Sequence, residues 1–169
     1  MILIGNGPSV LKYEFGKLID KHTDVVRFNN FCTVGYEKYV GQKTTIWVRN
    51  NTQSVLDRSE SFEQVILCRR PTEPNEKPYH TDVIKNWHEK FELPNEKWLS
   101  TGFMSILHFL ETYPVVYIHG FDFFKSETHH YFQSTSSNKR HDGYFESNYV
   151  SNLIKSGKVI TLTSKTLLL

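Results

Sequence analysis

The sequence of 169 residues lacks the motifs that mark the common nucleotide-binding folds. The Gly-Lys-Ser/Thr of a P-loop is missing, and Val10 stands where a dinucleotide-binding loop has its third glycine. No acidic residue closes the second predicted strand to hold a ribose. No Asp-x-Asp ends a predicted strand, so the usual metal clamp for nucleotide-sugar diphosphates is missing too. These absences argue against a dehydrogenase, an ATPase and a metal-dependent transferase.

Cysteine, long apolar runs and excess charge are also scarce. The two cysteines, Cys32 and Cys68, form neither a disulfide framework nor a zinc-binding spacing, and we interpret them as thiols of a reducing compartment. No apolar run approaches the roughly 18 residues of a membrane span, and residues 1–5 lack the features of a signal peptide. The expected location is therefore the cytoplasm. The net charge of +2 argues against a nucleic-acid partner.

Apolar segments of strand character alternate with segments of helical periodicity along the chain. Strands are predicted over residues 1–4, 24–28, 44–48, 64–68, 115–118 and 158–162. Helices are predicted over residues 8–19, 80–91, 101–110 and 146–155. The alternation predicts a single α/β domain over residues 1–169, of Rossmann-like form, with a mostly parallel sheet and helices on both faces.

Two segments without periodicity interrupt this pattern. Residues 71–78 contain three prolines and no apolar side chain, which predicts a loop. Residues 125–143 are polar, rich in serine, threonine and histidine, and too long for a routine connection. We predict that residues 125–143 form a mobile lid over a binding site.

Three predicted strands end in small or amide side chains, namely Gly5-Asn6-Gly7, Asn29 and Asn50. The carboxyl ends of parallel strands lie on one edge of a sheet, where such folds bind ligands. Glycines there would let a phosphate approach the backbone near a helix N-terminus, and asparagines would donate and accept hydrogen bonds without adding charge. Asparagine and glycine are also common in turns for purely local reasons. The pattern therefore favours a nucleotide site without proving one.

A second group of polar residues lies in the last part of the chain. Ser100 or Thr101 can cap the helix predicted after them, and His141 precedes Glu146 by five positions. A histidine in a polar loop is by itself more often solvated than catalytic, and no Gly-x-Ser-x-Gly elbow accompanies this one. The remaining clustered histidines fit no standard metal spacing: His119, His129 and His130. We therefore predict no metal site.

Taken in order, these segments resemble the sialyltransferases, both the bacterial lipooligosaccharide enzymes of family 42 and the Golgi enzymes of family 29. Residues 2–9 and 24–29 are similar to the large sialylmotif. Residues 99–102 together with 116–123 are similar to the small sialylmotif. The pair His141 and Glu146 has the spacing of the very small motif, and residues 159–168 look like the closing segment of the bacterial enzymes.

The resemblance implies an inverting glycosyltransferase that uses a CMP-linked sugar as donor substrate and needs no metal or other cofactor. His141 would be the general base that deprotonates the acceptor hydroxyl, a task that suits an imidazole because its usual pKa is about 6.5. Six further residues would contact the donor: Asn6, Asn29 and Asn50 at the phosphate, ribose or sugar, and Ser100, Thr101 and Gly102 at the donor carboxylate or the cytidine.

The sequence departs from the bacterial enzymes in the lid. Those enzymes hold the departing phosphate with two tyrosines, and Phe124 occupies the first of these positions here. The second position falls at or beside His130 and Tyr131. The resemblance therefore implies that His130, Tyr131 or Lys125 contacts the phosphate instead.

Three functional interpretations stay open at this point. The leading one is transfer of sialic acid from CMP-Neu5Ac to a glycan or lipooligosaccharide acceptor. A close variant uses another CMP-activated acidic sugar, such as Kdo or legionaminic acid. The third is a non-catalytic module that binds a nucleotide or glycan. No membrane-spanning segment is predicted, but a peripheral membrane association is left open.

Overall fold

A computed structural model describes residues 1–50, 55, 57–68, 84, 87–91, 97–125, 130–133 and 141–163. Its strands are β1 (Ile2–Ile4), β2 (Val25–Phe28), β3 (Ile46–Arg49), β4 (Gln64–Leu67), β5 (Val116–His119) and β6 (Val159–Thr161). Its α-helices are α1 (Gly16–Ile19), α2 (Glu37–Val40), α3 (Thr101–Phe109) and α4 (Gly143–Lys155). Two 3-10 segments cover Pro8–Lys12 and Trp87–Lys90.

The six strands form one parallel sheet in the order β4-β3-β2-β1-β5-β6. The chain builds outward from β1 on one side through β2, β3 and β4, and then returns to the other side of β1 with β5. The strand order therefore reverses between β1 and β5, which is the point where open α/β sheets bind their ligands. The predicted parallel sheet is confirmed.

Helices cover both faces of the sheet, as the sequence pattern predicts. Helices α3 and α4 pack on one face with inward-pointing residues such as Leu3, Val26 and Ile118. Helices α1 and α2 pack on the other face, where Ile2 and Val25 point. Because successive strand residues face opposite layers and both layers are covered, the central strands are apolar almost throughout.

The helix predicted over residues 8–19 is broken in the structure. The 3-10 segment ends at Lys12, and the next residue, Tyr13, has an extended backbone. Helix α1 starts only at Gly16. A Cβ at Gly16 would lie 1.9 Å from the Glu37 carbonyl oxygen. The close packing of α1 against α2 therefore sets the start of α1, and apolar periodicity alone does not reveal this contact.

Helix α4 begins three residues before the predicted start at Glu146. The Asp142 carboxylate accepts a hydrogen bond of 2.9 Å from the Phe145 backbone N–H and so caps the helix. Gly143 is thus helical, and the segment predicted as a lid ends earlier than expected.

Several predicted features lie outside the described residues. These are the loop over residues 71–78, half of the helix over 80–91, and residues 126–129 and 134–140 of the predicted lid. Within the described part of the lid, His130 and Gln133 form an antiparallel bridge. In the portion of the chain that the structure describes, no helix combines the length and apolar character needed to cross a membrane.

Candidate active site

The asparagines predicted at three strand ends converge at the carboxyl edge of the sheet. The Asn6 amide nitrogen lies 3.3 Å from the Phe28 carbonyl oxygen and 3.4 Å from that of Asn30. The Asn29 side-chain oxygen accepts a 2.9 Å hydrogen bond from the Asn50 backbone N–H. Asn29 has a positive φ of 47°, a conformation in which asparagine is enriched. These amides join the ends of β1, β2 and β3 into one surface.

The glycines after β1 permit close packing against the end of β5. The N–H groups of Gly5 and Gly7 donate to the carbonyls of His119 and Gly120 at 2.7 and 2.9 Å. A Cβ at Gly5 would lie 2.3 Å from the Gly120 oxygen, and one at Gly7 would lie 2.6 Å from the Asp122 carboxyl carbon. The structure therefore supplies a packing reason for both glycines, and it already uses their N–H groups within the chain.

The N-terminus of α3 faces the same edge. The Ser100 hydroxyl accepts a hydrogen bond of 3.1 Å from the Phe103 N–H and caps the helix. Thr101 is the first residue of α3, and a Cβ at Gly102 would lie 2.8 Å from the Phe121 ring. That ring also contacts Phe28 at the end of β2, with centroids 5.8 Å apart. Phe121 thus connects the start of α3 with the strand ends.

Glu146 ties α4 to the cap of α3. Its carboxylate accepts the Ser100 N–H at 2.6 Å and the Ser100 hydroxyl at 2.7 Å. The side chain is almost fully buried, with 1% relative exposure. Burial raises the pKa of Glu146 to about 7, although the two hydrogen bonds from Ser100 oppose this shift. The sequence identified Glu146 only by its spacing from His141, and its contact with Ser100 required the fold.

His141 lies immediately before the capping residue of α4. Its Nδ1 atom is 2.7 Å from the Trp98 carbonyl oxygen. A carbonyl can only accept a hydrogen bond, so Nδ1 carries the proton, and Nε2 is the acceptor nitrogen of the neutral ring. The imidazole stacks on Phe124, with ring centroids 4.9 Å apart and planes inclined by 21°. His141 is therefore hydrogen-bonded to Trp98, two residues before Ser100. In the neutral ring, Nε2 is the nitrogen that could act as a general base.

A cavity of about 230 Å³ opens beside these elements. Its lining includes Ser9 after β1, Gly120 and Phe121 after β5, and Leu162 after β6, and among the described residues it contains none of those predicted to bind the donor. The Asp122 carboxylate accepts a 3.0 Å hydrogen bond from the Ser9 N–H and so joins its two sides. The sequence analysis places Ser9 and Asp122 in the sialylmotif-like segments but assigns neither of them a role.

The sequence model of glycosyltransferase family 29 (sialyltransferase) matches residues 2–73 and 61–158. The chain belongs to this family. It is 26% identical, over an alignment of 191 positions, to the CMP-N-acetylneuraminate-beta-galactosamide-alpha-2,3-sialyltransferase 1 of Gallus gallus. That alignment covers 93% of this chain and 56% of the chicken protein. It is also 42% identical over 60 residues to a beta-1,6-galactosyltransferase of Arabidopsis thaliana, with 35% of this chain and 15% of that protein covered.

The fold of this family 29 chain matches that of a solved relative. The crystal structure of a mammalian sialyltransferase in complex with Gal-beta-1-3GalNAc-ortho-nitrophenol superimposes with a TM-score of 0.71 at 23% identity, covering 95% of this chain and 68% of that one. The chain spans about half the length of the full-length sialyltransferase relatives that it matches, as the 56% coverage of the chicken protein shows.

Tyr131 and His130, which are predicted to contact a phosphate, lie next to the carboxyl edge of the sheet, where the asparagines converge. The Tyr131 N–H donates to the Asn6 carbonyl at 2.9 Å, and its hydroxyl donates to the Cys32 carbonyl. Burial raises the pKa of Tyr131 to about 12. The His130 ring stacks on Phe132 at 5.2 Å. Tyr131 therefore anchors its segment to the sheet edge, whereas a phosphate contact by either residue stays a prediction.

We expect the buried carboxyl of Glu146 to make folding stability depend on pH. Its pKa in the folded state, about 7, exceeds the usual 4.5, so the folded state binds this proton more tightly. Stability from this group is greatest at low pH and declines as pH rises from about 4.5 to 7. In Glu146→Gln, the free energy of unfolding should therefore decline less between those limits, by on the order of 2–3 kcal/mol.

Urea denaturation at pH 5 and pH 7.5 measures this difference. Glu63→Gln, which removes an exposed carboxylate before β4, is the matched control and should leave the wild-type pH dependence in place. An identical pH dependence in wild type and Glu146→Gln would contradict the raised pKa.

Proposed function

We propose that this family 29 glycosyltransferase transfers sialic acid from CMP-sialic acid to a glycan hydroxyl, with inversion and without a metal ion. The observation that carries the proposal is the orientation of His141. Its Nδ1 atom is hydrogen-bonded to the carbonyl of Trp98, two residues before the Ser100 cap of α3, so Nε2 is the acceptor nitrogen of the neutral ring. Family membership and the relatives named sialyltransferases supply the donor chemistry.

In the proposed reaction, the His141 Nε2 atom takes the proton of the acceptor hydroxyl. The acceptor oxygen then forms a bond to the anomeric carbon of the donor sugar from the side opposite the nucleotide. The bond between that carbon and the CMP phosphate breaks, and its electron pair leaves with CMP. Displacement from the opposite side inverts the anomeric configuration.

Neutral groups of the site would stabilise the charges in this reaction. The backbone N–H groups of Thr101 and Gly102, at the positive end of α3, suit the carboxylate of the donor or the cytidine, whereas the Ser100 N–H already donates to Glu146. The amides of Asn6, Asn29 and Asn50 would contact the phosphate, ribose or sugar. CMP leaves as a phosphomonoester, so fixed hydrogen-bond donors can stabilise its developing charge without a metal. Among the described residues, no three His, Cys, Asp or Glu side chains converge as a metal site would require.

One observation favours a second candidate for the donor. The relative from Arabidopsis thaliana that is 42% identical over 60 residues is named a galactosyltransferase. Family membership therefore leaves open a transferase for another nucleotide sugar, either a galactosyl donor or one of the CMP-activated acidic sugars Kdo and legionaminic acid.

A ligand and turnover panel separates these candidates. We expect CMP and CDP to raise the melting temperature of the purified chain, and UDP, ATP and NAD to leave it unchanged. Turnover is then measured with CMP-Neu5Ac, CMP-Kdo and UDP-galactose, each with and without EDTA. Transfer from CMP-Neu5Ac that persists in EDTA supports the proposal.

Other outcomes of the panel have equally definite meanings. Transfer from UDP-galactose alone would assign the second function. Cytidine binding without transfer from any donor would indicate a binding module. Activity lost in EDTA and restored by magnesium or manganese would contradict metal independence.

A further inference from the structure

A strained turn after β5 carries the ring that stacks on His141. The Lys125 N–H donates to the Asp122 carbonyl at 3.1 Å, which closes a β-turn with Phe123 and Phe124 at its centre. Their φ angles are +49° and +59°. Two consecutive positive φ angles are the mark of a type I′ turn, in which Asn-Gly is strongly preferred. Bulky side chains rarely adopt this conformation, and such strain concentrates at functional sites.

The rest of the fold holds this turn in place from both sides. The Asp122 carboxylate accepts the Ser9 N–H at 3.0 Å and anchors the start of the turn. Gly143 packs closely on the other side, since a Cβ there would lie 2.0 Å from the Phe123 carbonyl oxygen. The turn is therefore clamped between the segment after β1 and the first residue of α4.

The strained backbone does not serve to bury Phe124. The residue is 36% exposed, whereas the neighbouring Phe123 packs against the main core. Its ring stacks on His141, at 4.9 Å between centroids and 21° between planes. A hydrogen bond from Nδ1 to the Trp98 carbonyl fixes the direction of one nitrogen but permits rotation of the ring plane about that bond. The parallel phenyl ring restricts this rotation.

We propose that Phe124 is a positioning residue that holds the His141 imidazole in one plane and one tautomer. This inference rests on the proposed function, in which His141 Nε2 takes the acceptor proton. The stacked phenyl face also suits the imidazolium that forms after proton transfer, because an aromatic face attracts a cation. In this proposal, the strained turn is what places the Phe124 ring against His141.

Substitutions at Phe124 separate positioning from a merely structural role. Phe124→Gly removes the ring and also relieves the strain, since glycine adopts positive φ readily. Its melting temperature should be unchanged or higher, whereas kcat should fall about tenfold or more because a misplaced base loses most of its effect. KM for the donor should stay within about twofold, since the change affects the transition state rather than ground-state binding. Phe124→Tyr keeps the stacked ring and should retain kcat.

The matched control is Tyr144→Ala, which removes an aromatic side chain that is 75% exposed in the first turn of α4. It should leave kcat and the His141 ring unchanged.

Nitrogen-15 NMR of the histidine side chains tests the same inference without turnover. Wild type should show His141 as a single tautomer protonated at Nδ1, and Phe124→Gly should show averaged shifts for the two nitrogens. A single tautomer that persists in Phe124→Gly would overturn the proposal whatever the turnover. Retained turnover in His141→Ala would instead overturn the proposed function, and the NMR comparison would still decide the role of Phe124.

Discussion

Replacement of His141 by alanine should lower kcat by about a hundredfold or more, the usual contribution of a general base. The affinity for CMP should change little, because proton transfer occurs in the transition state and not in the donor complex. In wild type, kcat should rise with pH across about pH 6 to 7, where an imidazole loses its proton. The direction of this pH dependence is fixed because only the neutral imidazole can take the proton of the acceptor hydroxyl.

The structure indicates which nitrogen of His141 would take the proton, which the motif alone does not. Because Nδ1 donates to the Trp98 carbonyl, Nε2 is the nitrogen that would take the proton. Steady-state kinetics and calorimetric titration with CMP measure the two quantities. The control is His22→Ala, which removes a half-buried histidine between α1 and β2, at the opposite edge of the sheet. Near-normal turnover in His141→Ala would show that another group is the base.

Replacement of Arg27 by alanine should have the largest effect on folding stability. Arg27 is fully buried in β2 although it is charged. Its guanidinium donates to the carbonyls of Val40, Gly41 and Lys43 at 2.6, 3.2 and 3.0 Å, just after α2. It also donates to the Thr44 hydroxyl at 2.9 Å. Alanine would leave the buried carbonyls of Val40 and Gly41 unpaired and a cavity beside them, at a cost of about 3–5 kcal/mol.

Urea denaturation measures the loss. Lys38→Ala is the matched control, since Lys38 forms an exposed ion pair of 2.9 Å with Glu14, and its loss should leave the free energy of unfolding nearly unchanged. Arg27→Lys, which keeps the charge but has a single nitrogen, should fall between wild type and Arg27→Ala. A loss below about 1 kcal/mol in Arg27→Ala would show that the carbonyls find other donors.

The sequence predicts the fold well because the fold depends on local patterns. Each of the six strands appears as a short apolar run with a turn signal behind it, and the alternation with helices predicts a parallel sheet. Errors occurred at the ends of elements, where a helix cap or a packing contact sets the first residue. Helix α4 begins at Gly143 because the Asp142 carboxylate caps it, and α1 begins at Gly16 because α2 packs against it.

The sequence predicts that the strand-end residues lie close together, but it does not predict their hydrogen-bond partners. Asn6, Asn29 and Asn50 converge because parallel strands end on one edge, which is a rule that a sequence can invoke. The Glu146 carboxylate accepts hydrogen bonds from Ser100, and the N–H groups of Gly5 and Gly7 donate to the end of β5. These contacts join elements that are far apart in the sequence.

The sequence by itself determined the order of the elements, the strand-end residues and the resemblance to sialyltransferases, because these depend on neighbours along the chain. Only the tertiary structure decided what each polar group does. It buried Arg27 among carbonyls, raised the pKa of Glu146 through burial, and stacked Phe124 on His141. The physical reason is that burial, hydrogen-bond geometry and ring stacking arise between residues far apart in sequence, whose distances exist only once the sheet and its two helical layers have formed.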